Sequence, residues 1–130
     1  MVGVVIVSHS LKAAEGIKEI AQQMGSDVPL AAVGGTADGR IGTDPLMIKK
    51  AIEGVMGPDG VLLLVDLGSA VMNAQLAVEM LGDEDQEQVV LSNAPILEGA
   101  VVAVVESAMG HDLERVKRAA EEASHMEKLL

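Results

Sequence analysis

Four short apolar runs, residues 3–7, 29–33, 61–66 and 88–91, recur along the chain, and the stretches between them carry apolar side chains at three- and four-residue spacing. Strand alternating with helix is the rhythm of a parallel sheet covered on both faces. The runs are continuously apolar, as strands buried on two sides require; a half-solvated sheet would show a polar residue at every second position. The expected fold class is therefore α/β, a three-layer sandwich. Its mainly parallel central sheet has about four strands in the order 2-1-3-4, with helices on both faces.

Residues 10–24 place Leu11, Ala14, Ile17, Ile20, Ala21 and Met24 at helical spacing, and Gly25 reads as the stop. Thr43 reads as the cap of a second helix begun by Asp44 and Pro45 and ending near Gly54, since a proline costs no hydrogen bond in the first turn. Residues 69–81 make a third helix closed by Gly82, and the following GDEDQEQ is an acidic solvated turn. Val101 and Val105 bound a stretch that scores as a strand by itself, but the length of the apolar segment favours a buried helix over residues 96–109, followed by Gly110. Residues 112–128 pair Glu with Lys and Arg at helical distance and predict a surface helix.

At 130 residues the chain has the size of one domain, 1–130, which buries roughly two thirds of the surface its unfolded form exposes. A formal charge of -11 repels nucleic-acid backbones and anionic membranes, leaving proteins and small molecules as partners. The chain has no Phe, Trp or Tyr, so Val, Leu, Ile, Ala and Met must fill the core, the eight methionines included. The same lack removes the stacking platforms that single-stranded nucleic acids use. Without cysteine there is neither a disulfide framework nor thiolate chemistry. The start, MVGVVIVSHS, has no basic region and too short an apolar run to span a bilayer, so the cytoplasm is the expected location.

In an open parallel sheet ligands bind at the carboxyl ends of the strands, where the strand order reverses; for the order 2-1-3-4 this is between strands 1 and 3. His9 follows strand 1 and Asp66 ends strand 3 in VLLLVDLGSA, so the topology delivers an imidazole and a carboxylate to one rim. Each is followed by a helix start, Ser10 after His9 and Gly68 and Ser69 after Asp66. Such starts offer amide donors to anions, phosphate above all, although either serine also serves as a plain helix cap. The glycine-rich loop after strand 2, VGGTADGRIGT with Thr36 within it, lets backbone approach a ligand but lacks the lysine of a phosphate-binding loop and the spacing of a dinucleotide fingerprint. An aspartate that accepts the proton of one imidazole nitrogen leaves the lone pair of the other free to attack. A phosphoryl electrophile then needs only in-line approach and donors to its oxygens. No metal cluster and no cofactor is called for. His111 and His125 lie away from this rim and receive no role.

The segments VVIVSHSLKAAEGI, AVGGTADGRIGTD, GVLLLVDLGSAVMNAQLAVE and LSNAPILEGAVVAVVESA together resemble the enzyme IIA-like domain of the DhaM family, the phosphotransferase subunits of phosphoenolpyruvate-dependent dihydroxyacetone kinases. The chain is similar, more distantly, to the enzyme IIA domain of mannose-type sugar transporters. The resemblance implies that His9 takes a phosphoryl group from phosphorylated HPr and passes it to ADP on the DhaL subunit, and that Asp66 orients the imidazole. It also implies a homodimer, and a loop containing Thr36, Asp38, Gly39 and Thr43 near the site. Two rivals differ in chemistry. A small α/β chelatase places a histidine after strand 1 but needs further metal-facing side chains, and a receiver-type module with Asp66 as phosphoacceptor needs an acidic pair where Ser8, His9 and Ser10 stand.

Overall fold

A computed structural model describes residues 1–129. Strands β1 (Gly3–Ser8), β2 (Leu30–Gly34), β3 (Val61–Val65) and β4 (Val89–Ser92) form one sheet in the order β2-β1-β3-β4. Every pairing is parallel. Helices α1 (Leu11–Gln22), α2 (Pro45–Val55), α3 (Ser69–Glu79), α5 (Ile96–Ala108) and α6 (Leu113–Glu122) connect and follow the strands, with a single helical turn α4 (Asp83–Gln86) before β4. This is the architecture that the continuous apolar runs require.

Successive strand residues face opposite sides. Val4, Ile6, Leu62 and Leu64 therefore join one core with Ala14, Ala21, Val104 and Val116 from α1, α5 and α6. Val5, Val7 and Leu63 join the other with Ile48 and Ile52 of α2 and Ala70 and Ala74 of α3. The small alanines on the helices let them sit close to the β-branched sheet. No methionine is fully buried in these cores, although Met47 and Met56 pack against the second from its edge. Met1, Met24, Met72, Met109 and Met126 are exposed, because Val, Leu, Ile and Ala already occupy the inner positions and unbranched side chains are left to the periphery.

Three further expectations are corrected and one is refined. Asp44, and not Thr43, caps α2: its carboxylate accepts from the Leu46 amide at 2.9 Å, with Pro45 in the first helical position. Of the apolar stripe in residues 10–24, Leu11, Ile20 and Met24 are exposed while Ala14 and Ala21 are buried, so the helix packs on its small residues. The acidic segment after α3 folds into the turn α4. The surface helix of residues 112–128 ends at Glu122 and tightens into a 3₁₀ turn, Ala123–His125, after which Lys128 turns back to Glu98, 2.9 Å from its carboxylate.

The sheet fixes the rim. Val7 is level with Val65, and Ser8 with Gly34, so the residues immediately after β1 and β3 emerge side by side. Gly34 sits where a Cβ would lie 2.7 Å from the Ser8 carbonyl oxygen and 2.9 Å from the Leu11 amide nitrogen, too close for any side chain. Gly34→Ala must push β2 away from the β1–α1 turn, and such overpacking costs about 1–3 kcal/mol. A urea midpoint lowered accordingly, without a change in slope, is the expected result.

Candidate functional site

Ser8 is the last residue of β1 and the only polar one in it, and its side chain is buried. Its hydroxyl donates to Asp66 Oδ2 at 2.8 Å and accepts from the Ser10 amide at 3.1 Å. The turn thus closes on itself. The His9 amide donates to the same Asp66 oxygen at 2.9 Å, while the Leu67 amide donates to Oδ1 at 2.8 Å. Asp66 is held in turn by its own amide, which donates to the Val7 carbonyl. Sequence reasoning did not find Ser8, although a lone hydroxyl ending a wholly apolar strand was the available signal.

The His9 ring completes the arrangement, with Nδ1 2.9 Å from Asp66 Oδ1 and Nε2 2.8 Å from the Ser69 hydroxyl oxygen. Burial of Asp66 works to raise its pKa. The His9 amide and ring, the Ser8 hydroxyl and the Leu67 amide all donate to the carboxylate, however, and together they hold it below the ordinary value of 3.8. An ionised carboxylate accepts only, so the Nδ1 proton must lie on the imidazole. Nε2 is then the acceptor, and Ser69 donates to it. For the neutral ring the geometry selects a single tautomer, with the lone pair of Nε2 towards the Ser69 hydroxyl. His9 and Asp66 are each about 21% exposed, so the ring is fixed from below and open to a docking molecule from above.

The other expected residues divide by what their polar atoms touch. The Ser10 hydroxyl accepts from the Ala13 amide at 3.3 Å and is the α1 cap. Gly68 caps α3 with no side chain to offer, which leaves the Ser69 hydroxyl free of capping and turned to the imidazole. Thr36 stays within its loop: its hydroxyl donates to Asp38 and accepts from the Arg40 amide at 3.2 Å. The loop nevertheless borders a cleft of about 580 Å³ that runs from His9 and Lys12 past Gly35 and Thr36 to Arg40. A second cleft, about 510 Å³, opens on the other side of Asp66 between Leu67, Gln75 and Asn93. Among the described residues no cluster of three or more His, Cys, Asp or Glu side chains is arranged to hold a metal ion. His111 lies against Glu106 at the α5–α6 junction, apart from the imidazole–carboxylate pair of the rim.

An imidazole held by a carboxylate at the carboxyl rim of a parallel sheet matches a known class. Residues 3–117 match the family described as the PTS system fructose IIA component, and the chain belongs to it. Within that class it is similar to DhaM phosphoryl donor subunits. It is 38% identical over 117 residues to the phosphoryl donor subunit DhaM of PEP-dependent dihydroxyacetone kinase 2 from Listeria innocua, an alignment covering 89% of this chain and 94% of the relative. It is 41% identical over 120 residues to the phosphoryl donor subunit DhaM of Escherichia coli K12, covering 89% of this chain but 25% of the relative. The chain thus spans about a quarter of the length of that second relative. The crystal structure of a protein of unknown function, EF1359, superposes with a TM-score of 0.80 at 32% identity, covering 94% of this chain and 95% of the other.

The depressed Asp66 pKa carries a sign. A carboxyl whose folded value lies below its unfolded one adds stability above the unfolded pKa, and loses it as pH falls through the folded value. Denaturation of the native chain is therefore expected to ease as pH drops below about 3.8. Asp66→Asn removes that component, and urea midpoints measured between neutral and acid pH should show a shallower acid decline in the variant.

Proposed function

We propose that the chain is a phosphohistidine relay subunit: His9 accepts a phosphoryl group from phosphorylated HPr and yields it to ADP bound on a DhaL-type subunit, driving phosphorylation of dihydroxyacetone. The observation that carries this reading is the tautomer fixed by Asp66, which leaves Nε2 as the nucleophile at an open rim. The donor, the acceptor and the final substrate are supported by similarity to the DhaM subunits alone. In this reading residues 1–130 act as one IIA-type phosphotransfer domain, in the cytoplasm with its carriers and as a homodimer. Among the described residues no helix is long and apolar enough to cross a membrane.

The transfer balances without a proton leaving the site. The Nε2 lone pair forms the new N–P bond as the N–P bond of the donor phosphohistidine breaks, and the electron pair of that bond returns to the donor ring. The product is a phosphoimidazolium whose Nδ1 proton stays on the ring, hydrogen-bonded to the Asp66 carboxylate, so the positive ring faces a negative oxygen at the moment it forms. Ser69, having lost its acceptor, is placed to donate to a phosphoryl oxygen, and the Gly68 and Ser69 amides at the start of α3 lie beside it. Discharge reverses the polarity: an ADP oxygen attacks phosphorus, the N–P bond breaks and its pair returns to Nε2. The chain therefore stores and forwards the group, while dihydroxyacetone is phosphorylated on another subunit.

Phosphoenolpyruvate, enzyme I and HPr should label the chain once, with a modification stable in alkali and lost in acid, as a phosphoramidate is. His9→Ala should abolish labelling while leaving the urea midpoint close to that of the native chain; persistent labelling of that variant overturns the reading. Asp66→Asn should slow transfer by at least about tenfold, because the wrong tautomer is then accessible to the ring. Rapid-quench measurement of the labelling rate checks this.

A further inference from the structure

We infer that Asn73 is a positioning residue for the His9 site: by clasping Thr43 it holds the glycine-rich loop, and with it one wall of the cleft beside His9, to the helix that carries Ser69. The inference rests on the reading of His9 as phosphoryl acceptor and adds a residue that touches neither the ring nor the phosphorus.

Ser69 and Asn73 lie four residues apart on α3 and so share a face. Ser69 meets His9, and one turn further on the Asn73 carboxamide donates to the Thr43 hydroxyl at 2.7 Å and towards the Thr43 carbonyl at 3.3 Å. Thr43 directly precedes Asp44, the α2 cap, so one side chain joins α3, the end of the loop and the start of α2. The loop between Gly34 and Thr43 makes mostly internal bonds: the Thr36 amide donates to the Arg40 carbonyl, the Gly39 amide to the Thr36 carbonyl, and the Arg40 guanidinium pairs with Asp38. Positive φ angles at Gly35, Gly39 and Gly42 give the backbone this course. Among the described residues, its hydrogen-bonded anchors to the rest of the fold are the Gly42 amide, which donates to the His9 carbonyl at 2.9 Å, and the Asn73 clasp.

Chemistry at His9 disturbs one tie of this system and leaves the other. In the unmodified protein Ser69 links α3 to Nε2. The N–P bond consumes the lone pair that Ser69 addresses, so this link ends when the group arrives. The Thr43–Asn73 bond does not involve the ring, and it keeps the cleft wall registered with α3 through both halves of the relay. Its loss acts on how the transferring group is seated, where small misplacements cost large factors in rate.

The test compares Asn73→Ala, Thr43→Val, the double variant and Thr43→Ser in the full chain, by amide hydrogen exchange of residues 36–42 and by single-turnover labelling over a range of phosphorylated HPr concentrations. Each of the first two should speed exchange of the Gly42 amide and lower the saturating labelling rate about tenfold, with the half-saturating HPr concentration little changed. The double variant should be no slower than either single one, and Thr43→Ser, which keeps the hydroxyl, should recover the rate lost in Thr43→Val. Unchanged loop exchange, a looser loop with undiminished transfer, or additive losses in the double variant would each overturn the clasp. A native chain that takes no label would instead remove the reading of His9, and the clasp's part in transfer with it, while the exchange data would still report whether Asn73 holds the loop.

Discussion

One carboxylate organises this rim. Asp66 accepts four hydrogen bonds, from the Ser8 hydroxyl, the His9 amide, the His9 ring and the Leu67 amide. They span the end of β1, the turn into α1 and the turn into α3. Taking an ionised carboxylate partly out of water is costly, and these donors offset that cost and hold its pKa below the ordinary value. The same saturation dictates the proton position on the imidazole. Folding and chemistry are thus coupled at a single side chain: the bonds that make the turn stable also make Nε2 the reactive nitrogen.

The sheet makes the meeting possible. A right-handed parallel crossover places β3 beside β1 with β2 on the far side, so two helices leave the shared rim on opposite faces of the sheet. The α1 turn brings His9, the α3 turn brings Ser69, and the loop after β2 approaches the first closely at Gly34, where no side chain fits, and meets α3 through Thr43 and Asn73. The cleft beside the ring lies between this loop and the start of α1, bordered by glycine backbone and by the side chains of Lys12, Arg40 and Met47.

Much of this was legible in the chain itself. Continuous Val, Leu and Ile runs specified buried parallel strands, and the strand order with His9 and Asp66 at the ends of two of them specified the pair. What stayed hidden has physical reasons. Ser8 lies just past the apolar run of residues 3–7, where a hydroxyl reads as the start of a turn, and only the position of a carboxylate 58 residues away gives it a purpose. Thr43 and Asp44 are both good caps by composition; Asp44 wins because Thr43 is engaged with Asn73, a contact between residues 30 apart. The methionines were assigned inward because the chain has no aromatic residue to fill the core; Val, Leu, Ile and Ala fill it instead, with Met47 and Met56 packed at its edge. Residues beyond Glu122 carry helical charge spacing, yet Lys128 is turned back to Glu98, an ion pair that no local pattern encodes.

The protein contains its own control for the two roles of Asp66. At the end of β4 the Ser92 hydroxyl donates to Glu121 Oε2 at 3.0 Å, the Asn93 amide donates to the same oxygen at 3.0 Å, and the Ala94 amide donates to the Ser92 hydroxyl at 3.1 Å. Atom for atom this is the turn of Ser8, His9 and Ser10, with a glutamate reaching in from α6 in place of the aspartate of the neighbouring strand. In both turns a single carboxylate oxygen does the closing. The second oxygen differs: in Asp66 it accepts from the imidazole and the Leu67 amide, whereas at Glu121 the Lys117 ammonium lies 3.4 Å from the second oxygen and 3.3 Å from the closing one, and no ring is present. The shared half is therefore a way of ending a buried parallel strand without stranding its amides. The half that differs is the addition that turns such an ending into a site, because only there does the middle residue carry a ring whose Nδ1–H can donate to the second oxygen.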